Sequence, residues 1–149
     1  MLVGCTAGEM YDSVFYCLVS TDATFQEAQI DCANRPENAS LVTIDNADIN
    51  NFITYFAGGR GSVWIGATDQ ETEGLWKWPN GDTLDFTSWR SGQPNNYGGS
   101  QNCAALNYRS NFNTRIIDPR ERTTGSLTTY EPPLYSYKTI FEHKIIKDN

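Results

Sequence analysis

The sequence predicts an α+β fold, and three observations support this. Two segments between residues 24 and 57 repeat apolar residues with the period of a helix, and short aromatic-rich runs typical of strands follow from residue 62. A long loop from Pro79 to Gln101, rich in Gly, Asn, Ser and Asp, separates two of these runs. A loop of this length inside a compact domain is usually functional or disordered, so a binding site is sought there first.

Each helical segment has a recognisable beginning. Thr24 and Glu27 have the spacing of a capping box, and the second segment follows Asp45-Asn46 and is ended by the glycines from Gly58 onward. The apolar positions recur at helical spacing, which predicts one buried face on each helix. These faces consist of Phe25, Ala28 and Cys32 in the first helix, and of Ile49, Phe52, Ile53 and Phe56 in the second.

Short β-rich runs supply the predicted strands. They are residues 5–20, 40–44, 63–66, 75–78 and 102–108, with a weaker strand-like pattern at 136–146. Residues 109–135 are polar and broken by three prolines, so no regular element is predicted there. Trp64, Ile65, Trp76 and Trp78 are interpreted as core residues, and Gly66 as a position required by backbone geometry.

Composition excludes several classes of protein. The 149 residues fit one domain, and a net charge of −7 without a stripe of Lys and Arg argues against binding to nucleic acid. No apolar run approaches the roughly 18 residues of a membrane span. The sequence lacks Gly-x-Ser-x-Gly, a phosphate-binding Gly-Lys-Ser/Thr loop and His-Glu-x-x-His, and its one histidine, His143, has no marked partner. We therefore expect a protein that is not an enzyme.

The cysteines indicate an oxidising compartment. No Cys-x-x-Cys pair occurs and only one histidine is present, so disulfides fit better than a zinc site. Asn38-Ala39-Ser40 is an N-glycosylation acceptor, which agrees with secretion. The first four residues are too short for a signal peptide, so either a leader was removed and an initiator Met added, or the gene prediction begins late. The cysteines are Cys5, Cys17, Cys32 and Cys103.

An ordered set of motifs resembles the C-type lectin-like family in its long form, which has an N-terminal hairpin. The motifs are Thr24 to Cys32, Ser40 to Ile44, Trp64-Ile65-Gly66, Glu73 to Trp78, Ser88-Trp89, Gly92 to Asn95 and Gln101-Asn102-Cys103. The match covers residues 5–114 of a single domain spanning 1–149, and residues 115–149 diverge. The resemblance implies two helices flanking two small antiparallel sheets, with the long loop presenting the ligand site.

The resemblance also bears on the disulfides. Cys5 and Cys17 lie in the segment that matches the N-terminal hairpin, so we expect a bond between them. In the family, the cysteines matching Cys32 and Cys103 belong to two different bridges, so these two residues are not expected to pair with each other. Neither family partner is present, and Phe141 stands where one is expected. The tail is therefore a genuine divergence or a splicing or reading-frame artefact, or else the two cysteines bond to other chains.

The ligand site implied by the resemblance lies on the long loop. In sugar-binding members, a Ca²⁺ ion on this loop is completed by sugar hydroxyls, and the proline preceding the last ligand of the triplet is commonly cis. The matching positions here carry neutral oxygens and no carboxylate, so they should hold a divalent cation poorly. In the family, Gln-Pro-Asp goes with galactose-type ligands and Glu-Pro-Asn with mannose-type ligands. The triplet Gln93-Pro94-Asn95 has the first residue of one and the last of the other, so the class of sugar stays open. The positions are Gln93, Asn95, Gln101, Asn113 and Thr114.

A second, accessory calcium position in some members uses an Asp and a Glu before the tryptophan strand. Asp69 and Glu73 match these two, and Asn96 and Asn102 stand where further acidic ligands can occur. Two carboxylates with amide oxygens would bind Ca²⁺ weakly. The alternative interpretation is a solvated acidic turn.

The expected function follows from this loop. We expect a secreted recognition module that binds carbohydrate or a glycoprotein, with weak or lost dependence on calcium. One alternative is a calcium-independent domain of the same fold that binds protein. Another is a degenerate domain without a ligand.

Overall fold

A computed structural model describes residues 4–35, 39–58, 61–107, 114–117, 123 and 125–130. Two helices and seven strands form an α+β fold, which confirms the predicted class. Neither helix is long and apolar enough to cross a bilayer in this part of the chain. The elements are β1 (Ala7–Tyr11), β2 (Val14–Val19), α1 (Phe25–Ala33), β3 (Ser40–Leu41), α2 (Ala47–Phe56), β4 (Ser62–Thr68), β5 (Cys103–Asn107), β6 (Thr114–Ile117) and β7 (Gly125–Tyr130).

An N-terminal hairpin opens the fold. Strands β1 and β2 pair antiparallel around Asp12 and Ser13, both of which have positive φ, as the tightest hairpin turns require. The predicted disulfide between Cys5 and Cys17 is present, with a Cα–Cα distance of 5.5 Å. It ties the segment before β1 to the middle of β2.

All seven strands belong to one mixed sheet, in the order β1-β2-β7-β4-β5-β6, with β3 also pairing with β7. The two small antiparallel sheets that the resemblance implied are therefore connected into one mixed sheet here. The two halves are joined because β7 pairs parallel to β4, with Val63 opposite Gly125 and Trp64 opposite Ser126. On its other side β7 pairs antiparallel with β2, so this one strand connects the N-terminal hairpin to the rest of the sheet.

Helix α1 begins as its sequence predicts. The Thr24 side chain accepts from the backbone N of Glu27, and the Glu27 carboxylate accepts from the backbone N of Thr24. Phe25, Ala28 and Cys32 are buried, as expected. The Phe25 ring meets the Trp64 ring edge to face at 5.3 Å, and this contact fixes the helix on the sheet.

Helix α2 packs against the N-terminal hairpin through aromatic rings. Phe52 stacks on Tyr11 at 4.4 Å and meets Tyr16 edge to face at 4.9 Å, and Phe56 extends the stack. Burial, followed by the nearby carboxylates of Asp45 and Asp12, raises the pKa of Tyr16 above its ordinary value of 10.0. The predicted apolar face of α2 is confirmed, with Ile53 fully buried and Ile49, Phe52 and Phe56 packed against the core.

The region from 109 to 135 differs from the prediction, because β6 and β7 lie within it. Strand β7 takes the place beside α1 that the terminal strand was expected to fill, and Thr128 contacts Cys32 there. Cys32 and Cys103 are buried thiols that are not bonded to each other, as predicted. The strand-like pattern at 136–146, Phe141, His143 and the glycosylation candidate Asn38 lie outside the described residues.

The tryptophan-rich centre of the sequence forms the core, as predicted. Trp64, Trp76 and Trp78 are all buried. The predicted strand at 75–78 is reduced to Lys77, which bridges to Thr68 and Thr83. Gly66 is required by close packing, since a Cβ there would lie 2.6 Å from the Pro79 ring and 2.9 Å from the Val42 carbonyl oxygen.

Candidate functional site

The base of the long loop is built into the core. Trp89, near the middle of the loop, meets Trp76 edge to face at 5.2 Å. Leu84 and Phe86 also pack against the core cluster. The part of the loop from Leu84 to Trp89 is therefore fixed on the core, whereas most residues of its outer part, from Gln93 to Gln101, are exposed.

The outer part of the loop begins at a cis peptide bond between Gln93 and Pro94, as the resemblance implied. The backbone N of Gln93 donates to the Arg90 carbonyl at 2.9 Å. The Asn95 side-chain oxygen accepts from the backbone N of Tyr97 at 3.3 Å. Residues Tyr97–Gly99 then form a short turn that leads back toward β5.

Asn96 links this loop to the turn before Trp76. Its Nδ2 donates to Glu73 Oε1 at 2.7 Å, and its Oδ1 accepts from the backbone N of Gln101 at 3.0 Å. The amide orientation is fixed, because a carboxylate accepts only and a backbone N–H donates only. Asn96 adopts the left-handed conformation, φ 43° and ψ 43°, which asparagine tolerates well.

Two predicted ligand residues carry buried oxygens that lack a hydrogen bond. Gln93 Oε1 and Gln101 Oε1 are inaccessible to solvent and have no partner among the residues that the structure describes. A buried acceptor left without a donor costs about 1–3 kcal/mol. Each oxygen therefore has an unused capacity to accept a hydrogen bond.

The turn from Asp69 to Gly74 is anchored at its first residue. Asp69 is only 3% exposed, and its Oδ2 accepts from the backbone N of Gly74 at 2.8 Å. The backbone N of Asp69 donates to the Asn102 carbonyl at 3.1 Å, which joins the turn to the start of β5. Asp69 Oδ1 and Asn102 Oδ1 have no partner within the described part of the chain.

These residues do not fit a tightly held calcium ion. Gln93, Asn95 and Gln101 offer amide oxygens without a carboxylate, whereas Ca²⁺ takes six to eight oxygens and gains affinity with each carboxylate. At the accessory position, Glu73 faces the amide donor of Asn96. No group of three or more His, Cys, Asp or Glu side chains in the described ranges could hold a metal.

The remaining two predicted ligands are placed differently. Asn113 lies outside the described residues. Thr114 begins β6 opposite Leu106, whereas Ile117 is opposite Cys103, two residues from Gln101. Since a strand rises about 3.3 Å per residue, the backbone register separates Thr114 from the Gln101 end of β5 by about 10 Å or more.

Sequence reasoning missed one residue of this loop. Tyr97 is 79% exposed, which is unusual for a large aromatic side chain. It lies directly after Asn96 and before two glycines with positive φ. The available signal in the sequence was an aromatic residue inside a run of Gly and Asn. Such a run has no apolar neighbours for the ring to pack against, so an exposed ring is expected.

The fold and the loop together define a class of protein, a small α+β domain that carries one long loop. The sequence profile of the Lectin C-type domain matches residues 21–118, and the chain belongs to this family. It is 32% identical over 100 residues to the C-type lectin lectoxin-Lio3 of Erythrolamprus poecilogyrus, across 65% of this chain and 62% of that protein. It is 35% identical over 98 residues to Lectin BRA-3 of Megabalanus rosa, across 66% of this chain and 59% of that protein.

Among solved structures, the carbohydrate-recognition domain of the mouse scavenger receptor C-type lectin superposes with a TM-score of 0.78. The two are 26% identical, and the match covers 86% of this chain and 96% of that chain. The match to the curated relatives spans about three fifths of their length. These relatives are named as lectins, a class of recognition modules.

Proposed function

We propose that this domain binds carbohydrate, free or on a glycoprotein, through the outer part of its long loop and without a tightly bound calcium ion. The observation that carries the proposal is the pair of buried acceptors without a donor, Gln93 Oε1 and Gln101 Oε1. A sugar presents several hydroxyl groups, each able to donate to such an oxygen. Because solvent does not reach either oxygen in the unbound loop, the proposal includes a side-chain rotation that exposes the oxygen to a hydroxyl donor. The new hydrogen bond then satisfies an acceptor that the unbound loop leaves unsatisfied.

The chemistry of the loop favours a polyhydroxylated ligand over an ionic one. The proposed ligand residues are Gln93, Asn95 and Gln101, and all three carry amides, which both donate and accept hydrogen bonds. Thr114 is outside this set because of its register, and Asn113 is outside the described residues. Neutral amides match neutral hydroxyls, and without a carboxylate they offset little of a calcium ion's lost hydration.

Secretion is part of the proposal. The disulfide between Cys5 and Cys17 forms and persists in oxidising compartments. Glycans are abundant outside the cell, where a domain of this type would meet them.

A glycan-binding assay on the whole chain tests the proposal. Immobilised glycans are probed in excess EDTA and again in millimolar CaCl₂, with Gln93→Met and Gln101→Met as variants of similar side-chain size. We expect binding in both buffers and a loss of about tenfold or more in each variant, because each removes an acceptor from the contact. Gln70→Met is the matched control, since Gln70 is an exposed glutamine of the neighbouring turn.

Two results would contradict the proposal. One is the absence of binding to any glycan, and the other is binding that EDTA abolishes. Titration calorimetry with CaCl₂ adds an independent check, in which we expect no saturable heat at micromolar calcium.

A second function, calcium-independent binding to a protein, is favoured by the exposure of Tyr97. Tyrosine is enriched among the few buried side chains that contribute most of the binding energy at protein interfaces. Tyr97→Ala distinguishes the two functions. Loss of a protein partner together with unchanged glycan binding would support the second function. A domain that binds neither glycan nor protein would correspond to the degenerate alternative.

A further inference from the structure

We infer that Asn96 holds the long loop in its binding conformation through direct hydrogen bonds, in the place where related domains can use a metal ion. This inference rests on the proposed function, because it concerns how the loop that carries Gln93, Asn95 and Gln101 is positioned. Asn96 is thus a positioning residue. It acts on the ligand through Gln101 and the loop backbone.

The first part of the argument is the closure of the loop on itself. Asn96 Oδ1 accepts from the backbone N of Gln101 at 3.0 Å, and the Asn96 carbonyl accepts from the backbone N of Gly99 at 2.9 Å. The same residue therefore receives two bonds from the returning side of the loop. These bonds fix the backbone of Gln101 relative to Asn96, which directly follows Asn95.

The second part is the attachment of the loop to a rigid support. Asn96 Nδ2 donates to Glu73 Oε1 at 2.7 Å across 23 positions of sequence. Glu73 lies in the turn that Asp69 anchors, with Asp69 Oδ2 bound to the Gly74 backbone N and the Asp69 backbone N bound to the Asn102 carbonyl. Asn102 adjoins Gln101, whose backbone N donates to Asn96. This series of hydrogen bonds therefore starts at Asn96 and leads back to it.

The third part is the chemistry of the bridging group. A cation between Glu73 and position 96 would need oxygen ligands on both sides, but Asn96 directs an N–H donor toward the carboxylate. The amide satisfies Glu73 without a second charge. Asp69 and Glu73, the two carboxylates predicted as a weak accessory calcium site, serve here as hydrogen-bond acceptors.

The test compares three variants and one control variant of the whole chain in EDTA and in millimolar CaCl₂. Asn96→Asp keeps the left-handed backbone preference and the bond to Gln101, but it removes the donor and sets a carboxylate against Glu73. Glu73→Ala removes the acceptor. Glu73→Gln keeps an acceptor oxygen for Asn96, and Glu71→Gln is the charge-matched control in the same turn.

The readouts are hydrogen exchange at the backbone N–H of Gln101 and Gly99, and glycan affinity. In EDTA we expect Asn96→Asp and Glu73→Ala to exchange about fivefold faster or more and to bind glycan more weakly by a similar factor. Glu73→Gln should show almost no change in either measurement. Calcium should restore Asn96→Asp, because Glu73 and the new carboxylate would face each other and could both bind the cation. Calcium should not restore Glu73→Ala. A general loss of folding would affect both variants alike, so it could not produce a calcium response in Asn96→Asp alone.

Two results would overturn the inference. One is a wild-type protein whose Gln101 exchange accelerates in EDTA, which would show that a metal holds the loop. The other is Asn96→Asp exchanging like the wild type in EDTA. If the wild-type protein binds no glycan, the proposed function fails, and the exchange measurements still decide whether Asn96 holds the loop.

Discussion

The Cys32 thiol and the Thr128 hydroxyl lie 3.0 Å apart, and both side chains are buried between α1 and β7. In the family that the sequence resembles, the cysteine matching Cys32 bonds to a cysteine in the last strand, and this chain lacks that partner. Thr128 occupies the corresponding place in β7, where it supplies a hydroxyl in place of a second sulfur. A hydrogen bond therefore joins the helix to the sheet at this point.

We expect Thr128→Cys to form a disulfide with Cys32 after a small approach of the two side chains. The bond would close a long loop and raise the free energy of unfolding by about 2–4 kcal/mol. Non-reducing peptide mapping checks the bond, and denaturant unfolding with and without reductant checks the stability. Thr128→Val is the control, and it should lower stability by about 1 kcal/mol through loss of the hydroxyl. Two free thiols in the oxidised Thr128→Cys protein would contradict the prediction.

Burial raises the pKa of the Cys32 thiol above its ordinary value of 9.0, and the bond to Thr128 only partly opposes this. The unfolded chain therefore releases the proton first as pH rises. The stabilising contribution of Cys32 is complete below pH 9.0 and declines as pH rises toward the folded pKa. We expect the stability difference between wild type and Cys32→Ala to shrink above that pH. A difference that stays constant to pH 10.5 would disprove this.

The capping box of α1 should make a measurable contribution to stability. Thr24→Ala removes the acceptor for the Glu27 backbone N and should lower the free energy of unfolding by about 1 kcal/mol. Thr24→Ser keeps the hydroxyl and should change stability little. Urea unfolding of the three proteins measures this, and equal midpoints for wild type and Thr24→Ala would count against a role for the cap.

Gly66 should tolerate no side chain. Gly66→Ala would place a methyl group 2.6 Å from the Pro79 ring and 2.9 Å from the Val42 carbonyl oxygen, and both must move. We expect a loss of about 2 kcal/mol or more, in the range of overpacked cores. Gly58→Ala, whose Cβ would meet the Tyr55 carbonyl oxygen at 3.1 Å after α2, is the milder comparison. Thermal unfolding ranks the two, and a Gly66→Ala protein as stable as wild type would refute the packing argument.

Local pattern was sufficient to predict both helices, because caps and apolar spacing act within a few residues of each other. Thr24, Glu27 and the face at Phe25 are examples. Strand β7 was missed because Gly-Ser-Leu-Thr-Thr-Tyr has only one fully buried large apolar side chain, Leu127, among its described residues. It becomes a strand through pairing with β2, β3 and β4, and such long-range pairing leaves little trace in its own sequence.

The candidate site likewise has features that could be predicted from the sequence and features that could not. The cis bond before Pro94 followed from the resemblance and is present, whereas the ligand roles of Gln93 and Asn95 stay predictions. The bond between Asn96 and Glu73 could not be predicted, since it depends on two turns meeting in space. The register of β6 was equally inaccessible, because it is set by pairing with β5 across residues that show no clear alternation.

The central position of β7 also determines when this sheet can be completed during synthesis. The N-terminal hairpin, β3 and β4 are all made before β7, and each must wait for this later strand as a partner. Until then their inner edges present unpaired N–H and C=O groups, which other chains could pair with. A chain stopped before Gly125 would keep those edges permanently, so we expect premature termination to yield aggregates in place of a smaller folded domain.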